Sequence, residues 1–187
     1  MIIRMFGTAL ALLLAAAPSQ SRAQAATAPF SCPDTVQRRL GSLAGVWEVQ
    51  AVFRRGPTAW DSTSATVTIT PELGGCLMRE HFVGTRYGSP YEYLALWGAN
   101  GGAELPIQRT FVHSQHGLLG VSAGRFHGDT LVFQQRNIVR GTTVLEEGRF
   151  SGIAQPGFTI VDRRTTDDGA TWIVTARFYF RYRGRVP

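Results

Sequence analysis

The chain has 187 residues and a formal net charge of +6, and all 19 of its basic residues are arginine. Proteins that bind nucleic acids usually gather their positive charge into a patch or stripe, whereas here the arginines are spread along the chain between acidic residues. The composition therefore predicts no nucleic-acid partner.

The start of the chain has the features of a cleaved signal peptide. Arg4 supplies a positive charge, residues 10–17 form an uncharged core of leucine and alanine, and Pro18 follows. Ala23 and Ala25 fit the small-x-small pattern of a cleavage site, so we expect cleavage after Ala25, with Ala23 as the alternative. The apolar core is far shorter than the roughly 20 residues that span a bilayer. The sequence predicts a periplasmic or secreted protein without stable membrane insertion.

We expect three segments along the chain. Residues 1–25 are the signal peptide, residues 26–42 are a leader rich in small residues, and residues 43–187 form one folded domain. A short helical turn is expected at residues 36–43, with Asp34 as its N-cap.

Cys32 and Cys76 are the two cysteines of the chain. An even number of cysteines in an exported protein favours a disulfide, whereas the same pair in a cytosolic protein would be two thiols. Closing a loop of roughly 45 residues would stabilise the fold by an amount on the order of 4 kcal/mol. The sequence predicts a Cys32–Cys76 disulfide.

The remainder of the chain alternates between apolar and polar residues, and turn-forming residues interrupt it at short, regular intervals. This spacing is typical of a sandwich or barrel. Closing a long meander into a barrel removes both unpaired edges. We therefore predict an all-β fold, a single antiparallel up-and-down barrel of ten strands, at 45–54, 65–70, 76–85, 91–97, 107–113, 118–126, 130–139, 143–151, 157–164 and 171–183.

The last predicted strand shows how the two faces divide. One set of alternating residues is apolar or aromatic, namely Trp172, Val174, Ala176, Phe178, Phe180 and Tyr182. The other set carries Arg177, Arg181 and Arg183. In a barrel one face looks inward and the other outward, so we expect the first set inside.

Several short motifs resemble those of a family of secreted bacterial proteins, a domain of unknown function with a calycin-like (lipocalin-like) barrel. The family pattern combines a Cys-Pro, a Leu-x-Gly-x-Trp-x-Val strand, a Gly-Gly-Cys turn followed by Glu, and a terminal Asp/Gly-rich turn before Thr-Trp and Tyr-x-Arg. The matching residues are Cys32, Pro33, Leu43, Gly45, Trp47, Val49, Gly74, Gly75, Cys76, Glu80, Thr165, Asp167, Gly169, Thr171, Trp172, Tyr179 and Arg181.

The match runs from about Cys32 onward and differs from the family at one strand. The family usually has Trp-x-Gln-x-Trp-Val-Asp there, so Arg109 and His113 stand where Gln and Asp are usual. The resemblance implies a calycin-like barrel, which commonly holds a small apolar ligand, and implies no established activity.

Convergent polar groups in an apolar cavity mark a ligand site. Glu80 shares a face with Met78 and Phe82, and Arg109 shares one with Phe111, so we expect a Glu80–Arg109 pair in the lumen. The pair has two interpretations: it orients a bound polar group, or it only satisfies two buried charges. The residues expected to contact a small, largely apolar ligand are Trp47, Glu80, Trp97, Arg109, Phe111, His113 and Phe178.

No catalytic, metal or cofactor motif stands out. His113, His116 and His127 span a glycine-containing turn, and no cysteine or carboxylate completes a zinc set. Haem binding through His113 is an alternative. We predict no cofactor, no metal and no assigned catalytic residue.

Two other functions stay open. One is a barrel enzyme of the acid–base isomerase or cyclase type, using Glu80 with Tyr93 or His113. The other is an envelope protein-interaction module whose barrel core is packed solid. The sequence indicates neither a particular ligand nor an oligomeric state.

Overall fold

A computed structural model describes residues 34–99, 104–115, 117, 119–154 and 156–186. The predicted signal peptide, most of the predicted leader, Cys32 and His116 lie outside the described residues. The Cys32–Cys76 disulfide therefore stays a prediction. Among the described residues, no helix is both long and apolar enough to cross a membrane.

One short helix precedes ten strands. The elements are α1 (Asp34–Gly41), β1 (Gly45–Arg54), β2 (Trp60–Glu72), β3 (Leu77–Arg86), β4 (Ser89–Ala99), β5 (Ile107–His113), β6 (Leu119–His127), β7 (Thr130–Val139), β8 (Thr142–Ala154), β9 (Gly157–Thr165) and β10 (Ile173–Gly184).

The ten strands form a closed antiparallel barrel in simple up-and-down order. Closure occurs at β1, where Val49 lies opposite Ala65 of β2 on one side and Phe180 of β10 on the other. The predicted fold class is confirmed. Closure pairs the first strand with the last and so removes the two outer edges of the meander. The β6–β7 ladder is the shortest among the described residues, running only from Ala123 opposite Gln134 to His127 opposite Thr130.

Strand β2 begins at Trp60, five residues before the predicted start at residue 65. Its first residues are polar or partly exposed, so the sequence shows no apolar alternation there. Pairing with β1 extends the strand nevertheless, up to the Arg54–Trp60 pair. The Trp60 ring lies between two guanidinium groups, 5.0 Å from that of Arg177 and 5.6 Å from that of Arg54.

Strand β10 departs from the predicted alternation at its start. Its register shifts between Val174 and Ala176, which marks a β-bulge. A bulge adds one residue and so reverses which side chains point inward beyond it. The inward apolar face consequently runs from Ala176 to Tyr182, and the expectation that Trp172 and Val174 continue it is wrong.

Helix α1 covers the end of the barrel at which β1 begins, called here the closed end. Leu40 of the helix and Leu43 of the following turn are fully buried. The Trp47 indole N–H donates a hydrogen bond to the Leu43 carbonyl at 2.9 Å. Arg39 lies 3.7 Å above the Phe126 ring and donates to the Gly128 carbonyl in the turn between β6 and β7. The leader's helix thus plugs one mouth of the barrel.

The half of the barrel next to this plug is packed with aromatic rings. Phe158 stacks on Phe180 with ring centres 4.2 Å apart, and Trp47 meets Phe158 edge-on at 4.9 Å. Fully burying such a side chain stabilises the fold by roughly 1.5–3 kcal/mol. The closed half is therefore a solid core.

Matched leucine truncations test the plug. Leu40→Ala removes a fully buried side chain, and we expect the free energy of unfolding to fall by about 2–5 kcal/mol. Leu73→Ala is the control, since the Leu73 side chain is 75% exposed, and we expect a change below about 0.5 kcal/mol. Urea unfolding followed by tryptophan fluorescence gives both values. Equal losses of stability in the two variants would contradict the packing of helix α1 into the end of the barrel.

Candidate functional site

A cavity of about 600 Å³ occupies the opposite half of the barrel. This open half contains the ends of β1, β3 and β5 at Arg54, Arg86 and His113. Its wall reaches the surface, because the lining residues Leu119 and Ile138 are largely exposed. The volume lies within the range of small-molecule sites, about 300–1,000 Å³.

The lining combines aromatic rings with charged and polar groups. Its aromatic residues are Phe53, Tyr91, Tyr93, Phe111, Phe133, Phe150 and Phe178. Its polar residues on inward-facing positions include Arg86, Arg109, His113, Ser122, Gln135, Asn137, Glu146 and Asp162. The cavity wall thus carries more polar groups than the single Glu80–Arg109 pair that the sequence predicts for the lumen.

The predicted ligand-contacting residues separate into two groups by depth. Arg109, Phe111, His113 and Phe178 line the cavity. The other three are buried beneath it and do not line it, namely Trp47, Glu80 and Trp97. Alternation along a strand identifies inward-facing residues, but it carries no information on which half of the barrel is filled. The expectation that Trp47 and Trp97 form the cavity wall is therefore corrected: both belong to the packed half.

The Glu80–Arg109 contact expected from the two strands is present. Glu80 Oε2 accepts hydrogen bonds from Arg109 Nη2 at 3.1 Å and from Nε at 3.3 Å. Glu80 Oε1 accepts a third from the Tyr93 hydroxyl. The Glu80 side chain is only 1% exposed, whereas that of Arg109 is 16% exposed. Glu80 therefore holds Arg109 from below, and Arg109 faces the cavity.

The charge states within this trio follow from burial and from the neighbouring charges. Burial raises the pKa of Tyr93 well above its ordinary value, and the adjacent Glu80 charge raises it further. Burial opposes the charge of Arg109, but Glu80, Tyr93 and Asp162 together outweigh it, with Glu80 the strongest of the three, and the pKa of Arg109 is raised. Tyr93 is consequently a neutral donor and Arg109 a fixed cation at neutral pH.

A glycine sets the position of the ring beside Arg109. Gly120 of β6 lies directly opposite Phe111 of β5, and a Cβ atom at Gly120 would collide with the Phe111 ring. The ring lies over the bare backbone, and the Arg109 guanidinium stands 4.9 Å from its centre. Phe111 and Arg109 therefore form a stacked unit in the wall.

A second polar group occupies β7 and β8. Glu146 Oε2 accepts hydrogen bonds from Asn137 Nδ2 at 2.8 Å and from Gln135 Nε2. These donors are neutral amides, and among the described residues no cationic side chain pairs with Glu146. The Gln135 amide oxygen is buried without a hydrogen-bond partner.

Asp162 of β9 lines the cavity with no side-chain hydrogen bond or ion pair to its carboxylate among the described residues. Its cross-strand neighbours Gly148 and Ala176 are small, and a Cβ atom at Gly148 would lie 3.0 Å from Asp162 Oδ1. Burial raises the pKa of Asp162 to about 6, against the opposing charge of Arg109 and with help from the Glu146 carboxylate.

Arg86 stands at the rim with aromatic rings around it. Its guanidinium carbon lies 5.1 Å from the Tyr87 ring centre, 5.2 Å from Phe53 and 5.5 Å from Tyr91. Its Nε is buried without a hydrogen-bond partner, and in the part of the chain described here it forms no ion pair. Burial raises the pKa of Tyr91, so its hydroxyl is neutral beside Arg86.

Sequence reasoning missed Asp162 and Arg86, although a signal for each exists. Asp162 continues the inward face of Phe158 and Ile160, and Arg86 continues that of Glu80 and Phe82. A charged residue near the end of an inward-facing alternation is that signal. It was overlooked because each charge lies close to a turn, where a polar residue is expected anyway.

The histidines do not converge. His113 lies at the open end with its ring 5.7 Å from Tyr91, whereas His127 ends β6 at the closed end. No group of three metal-ligating side chains comes together within the described ranges. His116, the third histidine of that pattern, lies outside them.

Comparison with known proteins gives a fold relationship only. No family model and no curated protein matches the chain. Among solved structures, it is similar to the S-type phycobiliprotein lyase CPES from Guillardia theta, with a TM-score of 0.50 and 10% sequence identity over 81% of this chain and 94% of that one. The chain therefore has a calycin-like barrel, and at this identity the likeness concerns the fold alone.

Two glutamate truncations separate the buried ion pair from an exposed one. Glu80→Ala leaves the Arg109 cation buried without its partner, so we expect a loss of about 3–5 kcal/mol in the free energy of unfolding. Glu72→Ala breaks the exposed pair with Arg79 and serves as the control, with an expected loss below about 1 kcal/mol. The double variant Glu80→Leu/Arg109→Met should regain most of the loss. An unchanged melting temperature in Glu80→Ala would contradict the placement of Glu80.

The raised pKa of Asp162 predicts a pH-dependent stability. The folded state holds this proton more tightly than the unfolded state, whose carboxyl has an ordinary pKa near 3.8, so stability falls as pH rises from about 4 to about 6. Asp162→Asn should remove this fall and raise the free energy of unfolding at pH 8 by an amount on the order of 1–3 kcal/mol. Urea midpoints between pH 4 and 8 measure it. A loss of stability at pH 8 in Asp162→Asn would show that the folded protein stabilises the ionised carboxylate, which contradicts the raised pKa.

Proposed function

We propose that this barrel is a binding protein for a small molecule with a largely apolar body. The observation that carries the proposal is the cavity of about 600 Å³, closed at one end of the barrel and reaching the surface at the other. The similarity to a phycobiliprotein lyase supports the fold and no more, so the argument rests on the cavity itself.

The aromatic lining supplies the main attraction. Rings such as Phe53, Phe111 and Phe178 line the cavity and contribute apolar surface to it. Removing apolar surface from water contributes roughly 25 cal/mol per Å². Rings also favour planar partners through edge-to-face and offset-stacked contacts. A planar or aromatic molecule is the shape that this wall suits best.

The polar groups supply orientation. Arg109 is held in one position by two hydrogen bonds to Glu80 and by its stacking against Phe111. A preorganised group binds with a smaller loss of conformational entropy than a mobile one. The cavity also argues against the alternative of a solid barrel, since filled lumens leave no space of this size.

We place this activity in the periplasm or outside the cell. The support is the signal-peptide character of residues 1–25 and the cysteine pair predicted from the sequence. An exported binding protein would meet its ligand after removal of that segment.

A cavity-filling variant tests the proposal. Ala176 lines the cavity and is buried, so Ala176→Phe places a ring inside it. We expect N-phenyl-1-naphthylamine, a neutral fluorescent probe, to bind the wild type with a Kd in the micromolar range, and the variant to bind it at least about tenfold more weakly. Fluorescence titration measures both.

Thr66→Phe is the matched control, because Thr66 is exposed on the outer face of β2 and the substitution adds the same ring outside the lumen. Its affinity for the probe should equal that of the wild type. Absence of probe binding to the folded wild type, or equal binding by Ala176→Phe, would overturn the proposed function.

A further inference from the structure

We propose that the lumen selects ligands that carry a protonated amine on an aromatic body, with Asp162 as the counter-ion. The inference rests on the proposed function and deepens it by naming the chemical class of the ligand. Three observations carry it: the pairing of charges in the lumen, the space beside Asp162 and the aromatic rings that surround that space.

The inward-facing carboxylates differ in the hydrogen-bond and ion-pair partners that the protein gives them. Glu80 is neutralised by Arg109. Glu146 accepts hydrogen bonds from the neutral amides of Gln135 and Asn137. Asp162 has neither an arginine nor an amide partner among the described residues. A carboxylate removed from bulk water without a partner is costly, so a cation entering the cavity gains most by approaching Asp162.

The space for that cation is next to the carboxylate. Asp162 lies opposite Gly148 of β8 and Ala176 of β10, whose side chains are absent or small. The next inward positions on the same two strands are Phe150 and Phe178, both opposite Ile160. Asp162 and both rings line the same cavity, so an ammonium group in that cavity can approach the carboxylate with aromatic rings beside it.

Aromatic rings stabilise a cation beyond the ion pair. An ammonium group over a ring face is attracted by the negative potential of the ring, and more strongly when water is excluded. Arg86 shows that the mouth already hosts a cation in this way, since it lies against three rings without a carboxylate. A ligand with an anionic group would reach Arg86 at the rim but would bring its charge towards Glu146 and Asp162.

The charges around Asp162 define the expected pH dependence. Arg109 and Arg86 favour its ionised form, whereas burial, Glu146 and Glu80 oppose it, and its pKa is raised to about 6. His113 and Tyr91 line the same cavity. Because an alkylamine stays protonated below pH 8, its affinity should fall as pH drops through 6 and Asp162 takes up a proton. Protonation of His113 would act in the same direction, so a variant of Asp162 is needed to separate the two.

Isothermal titration calorimetry with two probes of equal shape tests the inference. We compare 1-naphthylmethylamine, which is cationic, with 1-naphthylmethanol, which is neutral, on the wild-type protein at pH 8. The amine should bind at least about tenfold more tightly than the alcohol. At pH 5 this preference should shrink. In Asp162→Asn the preference for the amine over the alcohol should vanish at pH 8.

Glu92→Gln is the control variant, because it removes a carboxylate from the outer face of β4 and should keep the preference for the amine. Circular dichroism verifies that each variant is folded, and Asp162→Ser provides a second replacement. Equal binding of both probes by the wild type overturns the inference and leaves the proposed function standing. Failure of both probes to bind overturns the proposed function as well. Tighter binding of 1-naphthylacetate than of the amine, or a preference that survives in Asp162→Asn, also overturns the inference.

Discussion

Barrel closure between β1 and β10 is the constraint on which the other features depend. Val49 and its neighbours pair on both sides, with β2 and with β10, so that β1 leaves no backbone edge unpaired. A closed ladder fixes the register of every strand, and a fixed register decides which side chains face the lumen. Glu80, Arg109 and Asp162 all owe their inward position to this closure, although they come from three different strands.

The helix closes one end of the barrel, and the two halves of the lumen differ: the half next to the helix is packed, and the other contains the cavity. Leu40 and Leu43 close the end where the aromatic rings pack, and the rings of Trp47 and Phe158 fill the space beneath them. Toward the other end the inward positions include small residues, such as Ala176, alongside the rings that line the cavity. A barrel of ten strands has room for a cavity once its inward residues become small. Stability is thus concentrated in one half, and space for a ligand in the other.

The fold could be predicted from the sequence because alternation and turn residues are local signals. β1, β5 and β7 begin and end at the predicted residues, and the Glu80–Arg109 contact follows from two strand faces. The depth of a residue along the barrel axis is a property of the closed structure, so alternation alone could not show that Trp47 and Trp97 lie in the packed half and not in the cavity wall. The bulge near Thr175 also has no signature in the alternation, because both faces there contain apolar residues.

Glu80 and Asp162, two of the acids of the lumen, differ in whether the protein itself supplies a partner for the carboxylate. Glu80 receives hydrogen bonds from Arg109 and Tyr93, so all of its charge is compensated within the protein. Asp162 lies in the same lumen without a hydrogen bond or ion pair to its carboxylate among the described residues, and burial raises its pKa although the charges of Arg109 and Arg86 oppose the shift. A protein optimised for stability alone would lose little by replacing Asp162 with an apolar residue, since a buried acid without a partner is destabilising. Under the proposed function, the ammonium group of a ligand would supply the partner that Asp162 lacks, so that a group which destabilises the empty barrel would give selectivity to the occupied one.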